Sequence, residues 1–220
     1  MSTVSQVSTA SLTRAGYRRA ERYLAERDRV LGAVIAAHGR CGLAASQRED
    51  PFTALVESIV GQQLSAKAAA TIYRRVLALL PNGGPPAPGP ILAVPEADLR
   101  AAGLSRAKIA YVRDLAARVR DGDVRLDAIA ALEDAAVIAE LTRVKGIGRW
   151  TAEMFLMFRL HRPDVLPIGD LGIVNAIRRA YALRKPPSAA RLEKIAEPWR
   201  PYRSVACWYL WRTLDAVPGK

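Results

Sequence analysis

The sequence of 220 residues predicts an all-α protein, and three observations carry that prediction. Apolar residues recur at helical spacing in segment after segment. Ser, Asp or Pro stands at the head of many of these segments, and Gly or Pro follows them. No segment shows the period-two alternation of a strand, and no repeat unit recurs.

In chain order, the first residues are Ser/Thr-rich and lack the apolar centre of a secretory signal, so residues 1–13 are expected to form a disordered tail. Residues 14–38 read as one helix with Tyr23, Leu24, Leu31, Val34 and Ile35 on its apolar side, stopped by Gly39. Asp50-Pro51 is a helix start, cap then proline. Phe52, Leu55, Val56, Ile59 and Val60 then follow at the spacing of one buried face. Gly61-Gln62-Gln63-Leu64 interrupts the pattern, and Ser65 opens a helix to about Leu80 with Ile72, Tyr73 and Val76 inward. Residues 81–90, PNGGPPAPGP, predict a surface loop. A short helix over 95–102 ends at Gly103, and Ser105 caps the next, over 106–119, with Ile109, Val112, Leu115 and Val119 inward. Residues 126–132 predict another short helix, and Asp134 is expected to cap the one that leads to residue 144. Later helices are expected over 149–160, 171–183, 189–197 and from about 202 to 215, about ten in all.

Lys and Arg number 33 against 21 Asp and Glu, a net charge of +12. That excess suggests a polyanionic partner, nucleic acid before membrane, although a merely soluble basic surface would carry the same charge. No apolar stretch approaches the length of a membrane span. Cys41 and Cys207 form neither a disulfide framework nor a metal-ligand pattern, and two cysteines exclude a four-cysteine iron–sulfur cluster. His38 and His161 are isolated and expected at the surface. No cofactor or metal is expected, and a cytoplasmic setting follows by default.

The densest chemistry lies between Leu141 and Asp170. Val144-Lys145-Gly146-Ile147-Gly148 predicts a tight hairpin between two helices, with glycines that permit positive φ and leave amides uncovered. Ile147 is expected to plug the hairpin into the core. Uncovered amides, the N-terminus of the following helix and the flanking Lys145 and Arg149 make an anion site, most simply for a phosphate. A proline-containing loop over 162–169 then delivers one carboxylate, Asp170, to the start of another helix, where Asp also serves as an ordinary N-cap.

Gly146-Ile147-Gly148-Arg149-Trp150-Thr151-Ala152 and, after the loop, Asp164-Val165-Leu166-Pro167-Ile168-Gly169-Asp170-Leu171 resemble the helix-hairpin-helix plus Gly/Pro-Asp signature of a DNA glycosylase superfamily. Within it the resemblance is to the alkylbase group, 3-methyladenine DNA glycosylase II, and covers roughly residues 50–215. It implies two helical subdomains with a cleft between them: residues 51–165 as the middle subdomain, and 14–50 with 166–220 as the second. It also implies a monomer that acts on double-stranded DNA containing damaged bases, with no membrane role.

Removing a base requires gripping the backbone, extruding the nucleotide, filling the hole and breaking the glycosidic bond. The grip is assigned to Lys145, Gly146, Gly148 and Arg149, with Lys145 standing where many such hairpins carry proline. Gln63 matches the wedge position, where the alkylbase relative has leucine, and Leu64 beside it is the other candidate; a plain polar turn is the alternative. Trp150 occupies the position at which bifunctional relatives carry a Schiff-base lysine, so the resemblance implies hydrolysis without strand cleavage. Trp211 matches a pocket tryptophan, and Met154 stands in place of a pocket tyrosine. Core packing is the competing expectation for Trp211 and the preferred one for Trp208. Asp170 is assigned the catalytic carboxylate, and Glu153 and Asp164 are expected to be surface charges. The rival from another class is a non-catalytic hairpin module that binds damaged or branched DNA, which would need neither Asp170 nor aromatic walls.

Overall fold

The computed structural model describes residues 11–45 and 50–215, and within them the chain forms twelve α-helices, short 3-10 turns and no strand. The helices are α1 (Arg14–Arg27), α2 (Arg29–His38), α3 (Pro51–Gly61), α4 (Ala66–Ala78), α5 (Pro88–Ala93), α6 (Glu96–Ala101), α7 (Arg106–Arg120), α8 (Asp134–Thr142), α9 (Arg149–Phe158), α10 (Leu171–Ala180), α11 (Ala189–Ala196) and α12 (Arg203–Asp215). None of them is long and apolar enough to cross a membrane.

Two compact units emerge, Arg48–Phe155 and the two chain ends, Met1–Gln47 with Leu156–Lys220. The division falls ten residues before the expected position 165, so the last turn of α9 and the loop after it group with the chain ends.

In the middle unit α7 is the central element, with α3, α5 and α6 packed against it and α4 against α3. Its Ile109, Val112, Leu115 and Ala116 are buried, as are Phe52, Leu55, Val56, Ile59 and Val60 of α3. The Pro-rich stretch 81–90 is not the surface loop expected. After a 3-10 turn at Pro81–Gly83, Pro88 occupies the first turn of α5, where its missing N–H costs nothing, and Ile91 is fully buried. Over 126–132 only a 3-10 turn, Ile129–Ala131, forms. Asp134 is the first residue of α8 rather than its cap; Glu133 holds the cap position without a side-chain bond.

In the unit of the chain ends, α1, α2 and α12 pack together and α10 lies on α12. The single helix expected over 14–38 is two. Asp28 leaves helical geometry (φ −139°, ψ 107°), and its Oδ1 accepts the amides of Val30 and Leu31, capping α2. Its Oδ2 accepts the Tyr181 hydroxyl and, at 2.8 Å, the Trp199 indole N–H. Burial, together with the Asp28 charge, pushes the Tyr181 phenol far above its ordinary value. Apolar spacing does not mark this break, because buried Leu24 and Leu31 stand seven residues apart, as on one face of a continuous helix. Residues 11–13, assigned to a disordered tail, are held: the Ser11 hydroxyl donates to Leu160 O at 2.7 Å, the Leu12 amide to His161 O, and Thr13 caps α1. The rest of that expected tail, 1–10, lies outside the described residues.

α9 ends two residues earlier than expected. His161 adopts φ +53°, and the Arg162 amide turns back to Leu156 O at 2.9 Å, closing the helix as a left-handed residue does. His161 is therefore no surface residue: it is 5% exposed, with Nδ1 bonded to the Tyr17 hydroxyl at 2.9 Å.

Candidate active site

The hairpin of the middle unit is built around Gly146. Its φ is +80°, and a Cβ added there would lie 2.1 Å from Cδ2 of Tyr111, so both backbone and space demand glycine. Gly148 differs. Its φ is not positive, nothing lies within 4 Å of where its Cβ would be, and it stands directly before α9. Glycine there leaves the amides open to a close approach from outside. Ile147 is buried, as expected. Among the described residues the Gly146 and Gly148 amides have no acceptor, whereas the Lys145 amide is taken by Asp114 Oδ2 at 2.9 Å.

Asp114, on α7, escaped the sequence reading because it lies 31 residues from its partner. It also accepts Arg118 and stands 4.0 Å from Lys145 Nζ. Burial would raise its pKa, but the Lys145 amide and the Arg118 guanidinium outweigh that and hold it below the ordinary carboxylate value. The carboxylate offsets part of the Lys145 charge while fixing the hairpin. The Arg149 guanidinium bonds Glu153 Oε1 at 2.9 Å. Glu153 is only 3% exposed, so the expectation that it is a surface charge is wrong: it stands on a buried face of α9 and pairs with Arg149 one turn earlier on the same helix.

The interruption after α3 is a tight turn. Gln63 has φ +58° and is exposed, and Leu64 is 40% exposed. The Gln62 side chain instead points back and donates to Gly146 O at 2.9 Å, tying the turn to the hairpin. Ser58, Gly61, Gln62, Gln63, Leu64, Gly146, Trp150 and Thr151 line one recess of about 590 Å³. Trp150 is half exposed there, a large apolar ring left partly in water. Met154, one turn further along α9, is half-buried.

In the unit of the chain ends, Asp170 is the N-cap of α10. Its Oδ1 accepts the Ile173 amide at 2.7 Å and the Trp211 indole N–H at 3.0 Å. Capping and the assigned role are thus compatible, since the cap bond fixes the carboxylate. Trp211 stacks on Phe158, with ring centroids 6.0 Å apart and planes inclined by 24°. Gly172 makes this approach possible: a Cβ on it would lie 2.8 Å from Asp170 Oδ1 and 3.2 Å from Trp211 Nε1. Leu171, beside Asp170, is strongly exposed.

The loop that carries Asp170 is clamped to the start of α12, the helix of Trp211. Asp164 accepts Arg203 Nε at 2.7 Å and Arg200 Nη1 at 2.7 Å, the Val165 amide donates to Ser204 Oγ, and the Ser204 amide donates to Pro163 O. Asp164 is therefore a structural anchor and not the surface charge expected; two arginines some 40 residues downstream gave no local signal of it. Trp208, three residues before Trp211, packs against Tyr209 and closely over Gly42 but is only half-buried, with the Arg212 guanidinium 5.8 Å from its ring, so it stands at the edge of the core and not within it.

The assigned residues thus form two groups, each within one unit: Gln63, Leu64, Lys145, Gly146, Gly148, Arg149, Trp150 and Met154 in the first, Asp170 and Trp211 in the second. The first offers uncovered amides and an exposed ring; the second offers a carboxylate fixed beside an indole.

Comparison with known proteins gives a consistent result. The model of the HhH-GPD superfamily base excision DNA repair proteins matches residues 56–201. The chain is 37% identical over 168 residues to DNA-3-methyladenine glycosylase 1 of Schizosaccharomyces pombe, covering 76% of this chain and 74% of that protein. A structure of the 3-methyladenine DNA glycosylase of that yeast in complex with abasic DNA superimposes with a TM-score of 0.79 at 33% identity, covering 90% of this chain and 98% of the other. The crystal structure of a DNA-3-methyladenine glycosidase from Bacillus halodurans gives 0.77 at 38% identity, covering 88% of each chain.

Proposed function

Because the chain belongs to the HhH-GPD superfamily of base excision DNA repair proteins, we propose that it is a DNA glycosylase that hydrolyses alkylated purines, of the 3-methyladenine and 7-methylguanine type, out of duplex DNA and leaves an abasic site uncut. The observation that carries this reading is the Asp170 carboxylate, with one oxygen fixed by the Ile173 amide and the Trp211 indole.

Cleavage of the glycosidic bond builds positive charge on the sugar. A pre-oriented carboxylate stabilises that charge without reorganising at the moment of reaction, and can orient or deprotonate the attacking water. A purine alkylated at N3 or N7 is already cationic, so it leaves without a general acid. The aromatic rings of Trp150 and Trp211 suit a cationic base, each face being worth about 1–2 kcal/mol in a desolvated site. Trp150 cannot form a Schiff base, which supports hydrolysis alone. The Gly146 and Gly148 amides, with Lys145 and Arg149, grip phosphates of the duplex, and Gln63, with Leu64 beside it, fills the vacated place. The protein works as a monomer in the cytoplasm on chromosomal DNA.

A non-catalytic DNA-binding module would use the same hairpin but would have no use for a fixed carboxylate against an indole. The test is to incubate the protein with methylated duplex DNA, analyse the released bases and treat the mixture with borohydride. Free 3-methyladenine and 7-methylguanine, intact abasic strands and no trapped adduct are expected. Binding without base release would establish the module instead, and a trapped adduct would refute the hydrolase-only reading.

A further inference from the structure

Lys108 lies in the first turn of α7, outside every group so far given a function. Its Nζ donates to two carbonyls at the end of α3, Val60 O and Gln62 O, each at 2.7 Å. These are among the carbonyls that a helix C-terminus leaves without partners, and a cation is the donor they favour. The Gln62 carbonyl belongs to the peptide that joins Gln62 to Gln63. Fixing it fixes the plane from which Gln63 departs, and Gln63 departs at φ +58°, in a region residues with a Cβ seldom enter. The remaining bonds of the turn are few: the Gln62 amide reaches Ile59 O only at 3.4 Å, and the Leu64 amide reaches Gly61 O at 3.2 Å. On the hairpin side the Gln62 side chain holds Gly146 O. The turn is thus gripped from α7 by Lys108 and from the hairpin by Gln62, while Gln63 and Leu64 are left exposed.

We infer that Lys108 is a positioning residue for nucleotide extrusion: its ammonium holds the peptide between Gln62 and Gln63 in the orientation that presents the Gln63 side chain to the duplex. This rests on the reading of Gln63 as the side chain that fills the vacated place. Burial lowers the Lys108 pKa, which agrees with an ammonium drawn out of water to serve carbonyls. The role is needed where a base must be pulled from a stack and its place filled; a single strand makes no such demand. Lys108 therefore bears on how well duplex DNA competes with single-stranded DNA as a substrate.

The test compares single-turnover base release from methylated duplex and methylated single-stranded DNA for the wild-type protein, Lys108→Met, Gln63→Ala and the double variant. The duplex-to-single-strand ratio should fall about tenfold in Lys108→Met, the scale of losing a hydrogen bond to a charged group. It should fall similarly in Gln63→Ala, and no further in the double variant, because the two act as one device. Fluorescence of 2-aminopurine placed opposite an abasic-site analogue should drop in parallel. Lys108→Gln, whose amide can still serve one carbonyl, covers the case in which Lys108→Met melts below the assay temperature; the same fall at smaller amplitude is expected of it. Equal losses on both substrates, or additive losses in the double variant, would overturn the positioning role while the glycosylase reading stood. A wild-type protein that releases no base, or a Gln63→Ala variant that keeps its ratio, would overturn the reading beneath it and this inference with it.

Discussion

At the scale of single residues, the arrangement around Asp170 depends on one indole and one missing Cβ. Trp211 both donates to Asp170 Oδ1 and stacks on Phe158, so it holds the carboxylate in place. Trp211→Phe keeps an aromatic face but removes the donor. Base release should slow about tenfold, the scale of one hydrogen bond to a charged group, with helix content by circular dichroism retained. An unchanged rate in a folded Trp211→Phe variant would show that the indole N–H does not matter. Gly172→Ala should be worse, because its Cβ would arrive 2.8 Å from the carboxylate oxygen and force that oxygen or the indole aside. The sequence pointed to Asp170 and Trp211 separately, through motif position. It contained no sign of the bond between them, since 41 residues separate them and only the packing of α10 on α12 brings them together. Asp114 and Lys108 were missed, and Asp164 was misread as a surface charge, for the same reason: the partners of each lie far away in the chain. Glu153 was misread because its partner Arg149, one turn away, makes the pair look like an exposed helix pair.

At the scale of elements, caps and apolar spacing made α3, α4, α7, α9, α10 and α12 legible to within a few residues. Breaks without glycine or proline were not legible. The α1–α2 junction turns on Asp28, whose side chain finds α2 amides, Tyr181 and Trp199 at once. α5 hid in a Pro- and Gly-rich stretch because proline at a first helical turn looks the same as proline in a loop. The hairpin shows how two glycines in one motif can do different work. Gly146→Ala should destabilise the fold, since Tyr111 and a φ of +80° oppose any side chain, and the loss is expected in thermal melting before DNA is added. A Cβ at Gly148 meets nothing within 4 Å, so melting of Gly148→Leu should stay within about 1 kcal/mol of wild type while affinity for damaged and undamaged duplexes falls alike. If Gly148→Leu impaired only damaged DNA, the hairpin would belong to base recognition and not to the grip.

At the scale of the whole molecule, the net charge of +12 gains meaning from where cations meet uncovered amides. If Lys145, Arg149 and neighbouring cations neutralise about three or four phosphates, log affinity for duplex DNA should fall linearly with log salt at a slope near −3. If the lesion is read by rings and a carboxylate, as proposed, and not by phosphate contacts, the slope should be the same for lesion-bearing and intact duplexes. Salt-independent binding would contradict the grip. The helical class and family membership were readable from helical periodicity and one thirty-residue stretch. The unit boundary was misplaced because α9 contributes to both units, its first seven residues to one and its last three to the other, and nothing in its regular pattern marks the change.

In the proposed reaction a single fixed carboxylate, Asp170, breaks the glycosidic bond. Asp170→Asn isolates that charge, because the amide oxygen can still cap α10 once the charge is gone. Single-turnover release of 3-methyladenine and 7-methylguanine from methylated duplex DNA should fall at least about a hundredfold, the scale of losing one electrostatic stabiliser, with duplex binding retained. Release by Asp170→Asn at close to the wild-type rate would contradict the account.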